Sequence, residues 1–358
     1  MIPRRHLGDL DLELVLAPFR AVAGRVLVRI EDDRGVALAT SGSDEAEAVE
    51  GRYRAIAPIT VHDEGAGRVV VDGPSADPGL LEAAAGSLAA ALSLAVATGI
   101  DQTASSSVTP ADLEAELAHG RRLQRSFVSL VPPDVPGYDI ATHYEAAREV
   151  GGDFFDLFRL RRRGRPLSLV IADVTGKGIA AALLMAFARP LLHAAIDHTM
   201  DPATALERTN AVFVGERRTS LFITALCARL DVGTGRLLLA NAGHEPPLFI
   251  PADGSAPGLI LGSGPLLGAF PELGLPCIEA WMAPGDVCLF YTDGVTDAQA
   301  RDGTRFDERG LLAAVARGRG GTAQDVIDAI VGDLEAFTAG GEPADDITMV
   351  ALGRRRAG

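Results

Sequence analysis

Aspartates at the ends of apolar segments are the residues of this sequence whose chemistry is easiest to specify. Asp153 follows a pair of glycines, Asp173 closes the segment LSLVIAD, and Asp293 closes CLFYTD. Asp345 and Asp346 stand together before ITMVAL. Aspartate is a poor strand residue, and its charge is costly to bury unless something compensates it. One such aspartate is usually a turn former, but four strand ends of this kind favour a shared site.

Two kinds of phosphate chemistry could use the segment around Asp173. The turn Gly176-Lys177-Gly178 suggests a nucleotide-binding loop, but that motif, GxxxxGK[ST], needs an upstream glycine and a hydroxyl after the lysine, and both are missing. Clustered carboxylates instead repel one another unless a cation lies among them, and hard oxygen ligands suit Mg²⁺ or Mn²⁺. Glycine beside a carboxylate also lets the backbone approach a metal closely.

A metal site of this kind would need no nucleophile from the protein. Two ions that share one aspartate could hold a hydroxide between them, and that hydroxide could attack phosphorus in line. The sequence contains no GxSxG, HExxH or paired Cys and His motif. The absence of a protein nucleophile motif therefore agrees with metal-assisted phosphoryl chemistry.

The aspartates can meet only if the strands that carry them end at one edge of the fold. Strands are predicted at residues 138–144, 153–160, 167–173, 221–231, 236–242, 247–250, 277–282, 286–292 and 347–352, and helices at residues 179–197, 202–216, 307–316 and 322–337. Between residues 221 and 292 the strands follow one another through turns such as DVGTGR and APGD, which indicates an antiparallel meander. The predicted architecture is two antiparallel sheets covered by helices. Pro190 is expected to kink or split the first predicted helix.

Five motifs in order resemble a known family. EVGGDFFD, ADVTGKG, NAGHEPPLFI, YTDGVTDA and DDITMV, within about residues 112–353, are similar to motifs of the SpoIIE/RsbU branch of the metal-dependent (PPM, PP2C-like) serine/threonine phosphatases. The resemblance implies an α/β (α+β) fold, the αββα sandwich, with two Mn²⁺ or Mg²⁺ ions at one end. It also implies protein serine/threonine phosphatase activity that uses a metal-bound water or hydroxide.

Each motif of the resemblance implies a role for a residue of this chain. Asp173 would bridge the two ions, and the Val174 carbonyl would complete one shell. Asp153 would ligate directly or through water, and Asp293 would be a second direct ligand. Asp173 and Asp293 are therefore the residues expected to be essential for catalysis. In the last motif Asp345 would be the ligand with Asp346 beside it, and the sequence leaves open which of the two binds.

Three further residues have two interpretations each. His244, in NAGHEPPLFI, could donate a proton to the leaving serine oxygen, but Asn-Ala-Gly-His is also good turn chemistry. Lys177 could contact phosphate or shield the acidic cluster. Arg148 could hold phosphate, as an arginine does in eukaryotic relatives, or could be a solvated surface charge.

The chain divides into three segments. Residues 1–105 contain four short strand patterns and an alanine-rich helix pattern, and they loosely resemble a GAF-like sensor domain. Residues 106–133 predict a helical linker whose apolar stripe could pack on either domain or form a homodimer. Residues 134–358 form the predicted phosphatase domain.

The resemblance also implies a protein substrate. In this branch the substrate is a phosphoserine or phosphothreonine on a small STAS-type anti-anti-sigma protein. Two other functions remain open: a regulatory scaffold that binds a partner with little or no catalysis, and a ligand sensor whose small domain carries the function.

Composition limits the classes of function. Among 358 residues, 48 acidic side chains outnumber 33 basic ones, for a formal net charge of −15, which argues against a general nucleic-acid binder. Three cysteines without CxxC spacing predict buried small side chains and no disulfide framework, and with no signal peptide pattern they indicate a cytoplasmic protein. Residues 83–100 are uncharged, but their alanine content predicts a helix buried in protein and not a membrane span.

Overall fold

The structure is a computed structural model, and it describes residues 27–41, 52–61, 64–74, 82, 85–86, 89, 132–147, 151–160, 166–176, 179–199, 201–214, 222–341 and 343–356. Most of the alanine-rich segment 83–100 and of the predicted linker lie outside these residues. Arg148 and Lys177 do so as well, and their two interpretations stay predictions.

The first part of the chain forms a four-stranded antiparallel sheet. Its strands are β1 (Leu27–Glu31), β2 (Ala37–Ser41), β3 (Arg52–Val61) and β4 (Glu64–Pro74), in the order β2-β1-β4-β3. Val28 and Ile30 alternate with Arg29 and face the buried side of this sheet, as the period of a strand requires. The four predicted strands are confirmed, whereas the GAF-like interpretation stays a prediction.

Ten further strands form two five-stranded sheets. They are β5 (Tyr138–Glu145), β6 (Phe154–Arg159), β7 (Leu167–Val174), β8 (Ile223–Leu230), β9 (Arg236–Ala242), β10 (Leu248–Ile250), β11 (Gly258–Leu259), β12 (Ile278–Trp281), β13 (Val287–Tyr291) and β14 (Ile347–Arg354). One sheet has the order β11-β10-β13-β14-β5 and the other β12-β9-β8-β7-β6. Every neighbouring pair is antiparallel, as predicted.

Helices cover the outer face of each sheet. They are α1 (Ile179–His198), α2 (Pro202–Phe213), α3 (Asp293–Thr296), α4 (Asp307–Gly318) and α5 (Ala323–Thr338). The helices α1 and α2 share a core with the sheet that contains β7, and α4 and α5 share a core with the sheet that contains β14. A third core lies between the two sheets. The αββα sandwich is therefore confirmed.

Strand β7 shows why the layers stack in this way. Leu169 and Ile171 belong to the core between the sheets, and Val170 and Ala172 belong to the core under the helices. Because successive side chains of a strand point to opposite faces, a strand covered on both sides is expected to be apolar at most positions until it ends, and Ser168 is the buried polar exception within β7 before Asp173. In β7 the apolar run ends at Asp173.

The structure corrects several details of the prediction. Pro190 lies inside α1 without splitting it, and α2 ends at Phe213 and not at residue 216. The two-residue strand β11 and the short helix α3 were not predicted. All three cysteines are free, but Cys277 is exposed, so the prediction that all three are buried was wrong. No helix among the described residues is long and apolar enough to cross a membrane.

Candidate functional site

The ends of β6 and β7 bring two of the predicted aspartates to one place. In this antiparallel pair Phe154 lies opposite Ala172. Asp153, just before β6, and Asp173, near the end of β7, therefore stand at the same end of the sheet.

The facing sheet presents two more strand ends there. Tyr291 of β13 pairs with Met349 of β14, and one step further the Thr292 N–H donates to the carbonyl of Thr348 at 3.1 Å. Asp293 follows directly after Thr292. The carboxylates that the sequence placed at four strand ends thus share one end of the sandwich.

Asp153 connects the two sheets. Its side chain is 1% exposed, and its Oδ2 accepts hydrogen bonds from Thr292 Oγ1 and Thr348 Oγ1, both at 2.7 Å. Burial raises the pKa of Asp153 well above its usual range, and the charges of Asp173 and Asp346 add to this, whereas the two hydroxyl donors oppose it. An ionised Asp153 therefore needs a nearby positive charge.

The pKa of Asp173 is raised for similar reasons. Burial, followed by the charge of Asp293, raises the pKa of Asp173 to about 7. A carboxylate with such a pKa binds either a proton or a cation readily near neutral pH.

Gly152 lets the backbones at the site approach each other. A Cβ atom at this position would lie 2.7 Å from the Val174 carbonyl oxygen and 3.4 Å from Asp173 Oδ1. No side chain fits at 2.7 Å from a backbone oxygen, so the approach of β6 to the end of β7 depends on glycine.

The neighbouring residues Asp345 and Asp346 have different environments. Asp346 Oδ1 accepts from the Ala147 N–H at 2.8 Å, and Asp346 Oδ2 accepts from the N–H groups of Gly152 at 2.7 Å and Asp153 at 3.4 Å. Asp345 Oδ1 accepts from the Asp346 N–H at 3.0 Å. Asp346 thus organises the backbone that leads into β6, which makes Asp345 the better candidate for a ligand.

Asp293 begins α3, and its carbonyl accepts from the Asp297 N–H at 2.7 Å. At the next residue, Gly294, any Cβ would overlap the carbonyl oxygen of Asp346. Glu245 also belongs to this neighbourhood, because its pKa is raised first by burial and then by the charge of Asp293. Glu245 was not predicted as a site residue, although it follows His244 in NAGHEPPLFI.

His244 is held as part of the framework. Its Nδ1 lies 2.8 Å from Thr224 Oγ1, and its backbone exchanges two hydrogen bonds with the side chain of Asn241, at 2.8 and 2.9 Å. Burial lowers the pKa of His244 to about 3, so its ring is neutral near pH 7. These contacts favour the structural interpretation of His244 over proton donation.

Most residues of the site were predicted from the sequence. After burial, the charges of Asp293, Asp345 and Asp346 raise the pKa of Asp173, and the charges of Asp173 and Asp346 raise that of Asp153, so these five carboxylates are electrostatic neighbours. The Val174 carbonyl oxygen lies beside Gly152, next to Asp153. Thr292 and Thr348 were missed, although each stands within a motif, in YTDG and in DDIT. In their present positions, the described residues contain no group of three or more His, Cys, Asp or Glu that could hold a metal ion.

More than half of the chain matches the profile of a known protein family. The sequence profile described as Stage II sporulation protein E (SpoIIE) matches residues 163–355. This segment contains four of the five quoted motifs and every described element from β7 to β14.

Two curated proteins each match about two thirds of the chain. Protein IcfG of Synechocystis sp. is 29% identical over 266 residues, which are 67% of this chain and 41% of that protein. Phosphoserine phosphatase RsbU of Bacillus subtilis is 24% identical over 245 residues, which are 68% of this chain and 71% of that protein. The chain therefore spans less than half the length of the first of these relatives.

A solved structure agrees with the fold. The SiaA-PP2C domain of Pseudomonas aeruginosa superposes with a TM-score of 0.59 at 21% identity, and covers 68% of this chain and 97% of that domain. At this identity the match shows the sandwich fold.

Proposed function

We propose that this chain, which belongs to the SpoIIE family, is a metal-dependent protein serine/threonine phosphatase. One observation carries the proposal: four strand ends of two sheets direct carboxylates to one place around the buried Asp153. A further support is that the relative RsbU is named as a phosphoserine phosphatase.

The residues at the site suit hard divalent cations. Asp153 and Asp173 both have raised pKa values because they are buried close to other carboxylates, and a cation relieves that repulsion. Carboxylate and backbone carbonyl oxygens are the ligands that Mg²⁺ and Mn²⁺ prefer. We assign Asp153, Asp173, the Val174 carbonyl, Asp293 and Asp345 as the residues that would hold two such ions.

Bound ions would supply Lewis acidity toward a phosphate monoester and would lower the pKa of water. The chain itself supplies position. Thr292 and Thr348 both donate to Oδ2 of Asp153 and thereby fix this carboxylate. Neither hydroxyl contacts Oδ1. Asp346 holds the backbone N–H groups of Gly152 and Asp153 and so sets the entry into β6.

The substrate and organisation are part of the same proposal. We assign as substrate a phosphoserine or phosphothreonine on a STAS-type anti-anti-sigma protein. The name of the relative RsbU, a phosphoserine phosphatase, supports the phosphorylated residue, and the STAS-type carrier is what the resemblance of the five motifs implies. Residues 1–105 would be a sensor domain, residues 106–133 a helical linker able to form a homodimer, and residues 134–358 the catalytic domain, all in the cytoplasm.

Steady-state hydrolysis tests the proposal. With Mn²⁺, the purified chain is expected to hydrolyse p-nitrophenyl phosphate and to dephosphorylate a phosphorylated STAS-domain protein. Asp173→Asn and Asp293→Asn should each reduce kcat by about 100-fold or more, because they remove a charged ligand. Their circular dichroism spectra should match that of the wild type.

The matched control is Asp302→Asn. Asp302, like Asp293, precedes a glycine, but it is exposed and accepts from the Thr304 N–H in a loop, so kcat should not change. Full activity in both site variants would refute the metal site. A folded wild type that binds the STAS protein without hydrolysing either compound would instead favour the scaffold. Turnover of p-nitrophenyl phosphate alone would reject only the substrate assignment.

A further inference from the structure

A second buried carboxylate, Asp156, lies between β6 and α1, away from the cluster of strand ends. Side chains of β6 alternate, so Phe154, Asp156 and Phe158 point to the face that α1 covers, and Phe155 and Leu157 belong to the core between the sheets. Asp156 is 3% exposed. A carboxylate buried between phenylalanines is costly unless it is paired.

Helix α1 supplies both partners of Asp156. Arg189 Nη2 donates to Asp156 Oδ1 at 3.1 Å, and His193 Nδ1 lies 2.7 Å from Asp156 Oδ2. Arg189 and His193 are four residues apart and therefore lie on the same face of the helix. The ring of His193 also stacks on Phe158 with 3.8 Å between centroids.

Apolar side chains of α1 also pack in the core that this helix shares with the sheet. They include Leu184, Met185, Phe187, Leu191, Leu192 and Ile196. Apolar burial holds the helix on the sheet but is non-directional, whereas the hydrogen bonds of a buried carboxylate require particular distances and angles. The contacts of Asp156 therefore add a directional restraint on where α1 lies along β6.

The first turn of α1 lies beside the candidate site, at Gly152. Ala181 Cβ is 3.4 Å from the place that a Cβ of Gly152 would occupy, and that place is 2.7 Å from the Val174 carbonyl. A small displacement of α1 would therefore reach the turn that carries Asp173 and Val174. At its other end α1 is held by Arg229, whose Nη2 donates to the carbonyls of Ile196 and Thr199.

We infer that Asp156 is a positioning residue for the reaction: through Arg189 and His193 it holds α1 in the register that places Asp173 and the Val174 carbonyl for binding of the divalent cation. The inference rests on the proposed function. It assigns no contact with substrate to Asp156.

Two variants and a matched control test the inference. Asp156→Asn and Arg189→Gln each remove one charge of the pair, and the control Asp286→Asn alters a buried carboxylate at the opposite end of β13 from Asp293. In the full chain, Asp156→Asn and Arg189→Gln should lower kcat for p-nitrophenyl phosphate by about 10-fold or more with KM within about twofold. The Mn²⁺ concentration for half-maximal activity should rise. Asp286→Asn should lower Tm and leave both quantities unchanged.

Mn²⁺ binding gives a readout that does not depend on turnover. At equal Mn²⁺, the Mn²⁺-induced rise in Tm should be smaller in Asp156→Asn than in the wild type. If Asp156→Asn lowers Tm but keeps the wild-type kcat and Mn²⁺ dependence, as the control does, its role is merely structural and the inference is wrong. If Asp156→Asn does not fold, Arg189→Gln decides by the same criteria. If the wild type binds Mn²⁺ without hydrolysing, the proposed function fails and the Tm comparison still judges the positioning role.

Discussion

At the scale of single residues, the aspartates of the site have different hydrogen-bond partners and therefore different roles. Asp153 is buried and receives two threonine hydroxyls on one oxygen, while Asp346 receives three backbone N–H groups. Asp346 thus holds a loop, whereas within the part of the chain that the structure describes Asp153 accepts its side-chain hydrogen bonds from neutral hydroxyl groups. This difference separates a framework residue from a candidate ligand.

We expect the two variants of the last motif to fail in different ways. In Asp346→Asn an amide N–H would face a backbone N–H, so the free energy of unfolding should fall by about 1.5–3 kcal/mol. In Asp345→Asn stability without metal should change less, and the Mn²⁺ concentration needed for activity should rise at least about 10-fold. Urea unfolding in EDTA and Mn²⁺ titration of activity measure the two effects. The reverse pattern would make Asp346 the ligand.

At the scale of elements, the site depends on how closely β6 approaches the end of β7. Gly152 stands where a Cβ would lie 2.7 Å from the Val174 carbonyl oxygen. The two strand ends can approach this closely because residue 152 is a glycine and has no side chain.

Gly152→Ala is accordingly expected to push the two strand ends apart. We expect a loss of about 1–3 kcal/mol in the free energy of unfolding, together with weaker Mn²⁺ binding. The control is Gly332→Ala in α5, where a Cβ meets nothing within 4 Å and alanine should stabilise the helix by about 0.5–1 kcal/mol. Chemical denaturation and Mn²⁺-dependent Tm shifts measure both. Wild-type Mn²⁺ binding in Gly152→Ala would show that the close approach is unnecessary.

At the scale of the whole molecule, an acidic chain with a net charge of −15 also concentrates carboxylates at one end of its sandwich. Asp153 and Asp173 have folded-state pKa values above the usual value of about 3.9. Between about pH 4 and 7 the folded protein therefore retains protons that the unfolded chain has lost. Stability from these groups is lost as pH rises through the folded pKa values.

The metal-free protein should accordingly have a lower Tm at pH 8 than at pH 5.5. Mn²⁺ should reverse the loss at pH 8, by about 2.7 kcal/mol at 100 times its dissociation constant. Asp173→Asn removes one of the titrating groups, so its Tm in EDTA should fall less between the two pH values. Calorimetry with and without EDTA measures these changes. An equal pH dependence in wild type and Asp173→Asn would contradict the assignment.

The sequence by itself determined most of the strands, the four longer helices and the positions of the aspartates, but not the short elements β11 and α3. Apolar periodicity and turn residues are local, so β7 and its end at Asp173 could be predicted without knowledge of its neighbours. Local pattern was insufficient at Pro190, which lies inside α1 without splitting the helix.

Only the tertiary structure decided how the aspartates are used. Thr292 and Asp153 are 139 residues apart, and Asp346 and Gly152 are 194 apart, so their hydrogen bonds depend on which strand ends face each other. The same holds for Asp156, whose partners lie on a helix beyond the next strand. Sequence pattern records which side chain stands at a strand end, but burial and partner geometry set its pKa and its role, and these arise only when the two sheets close.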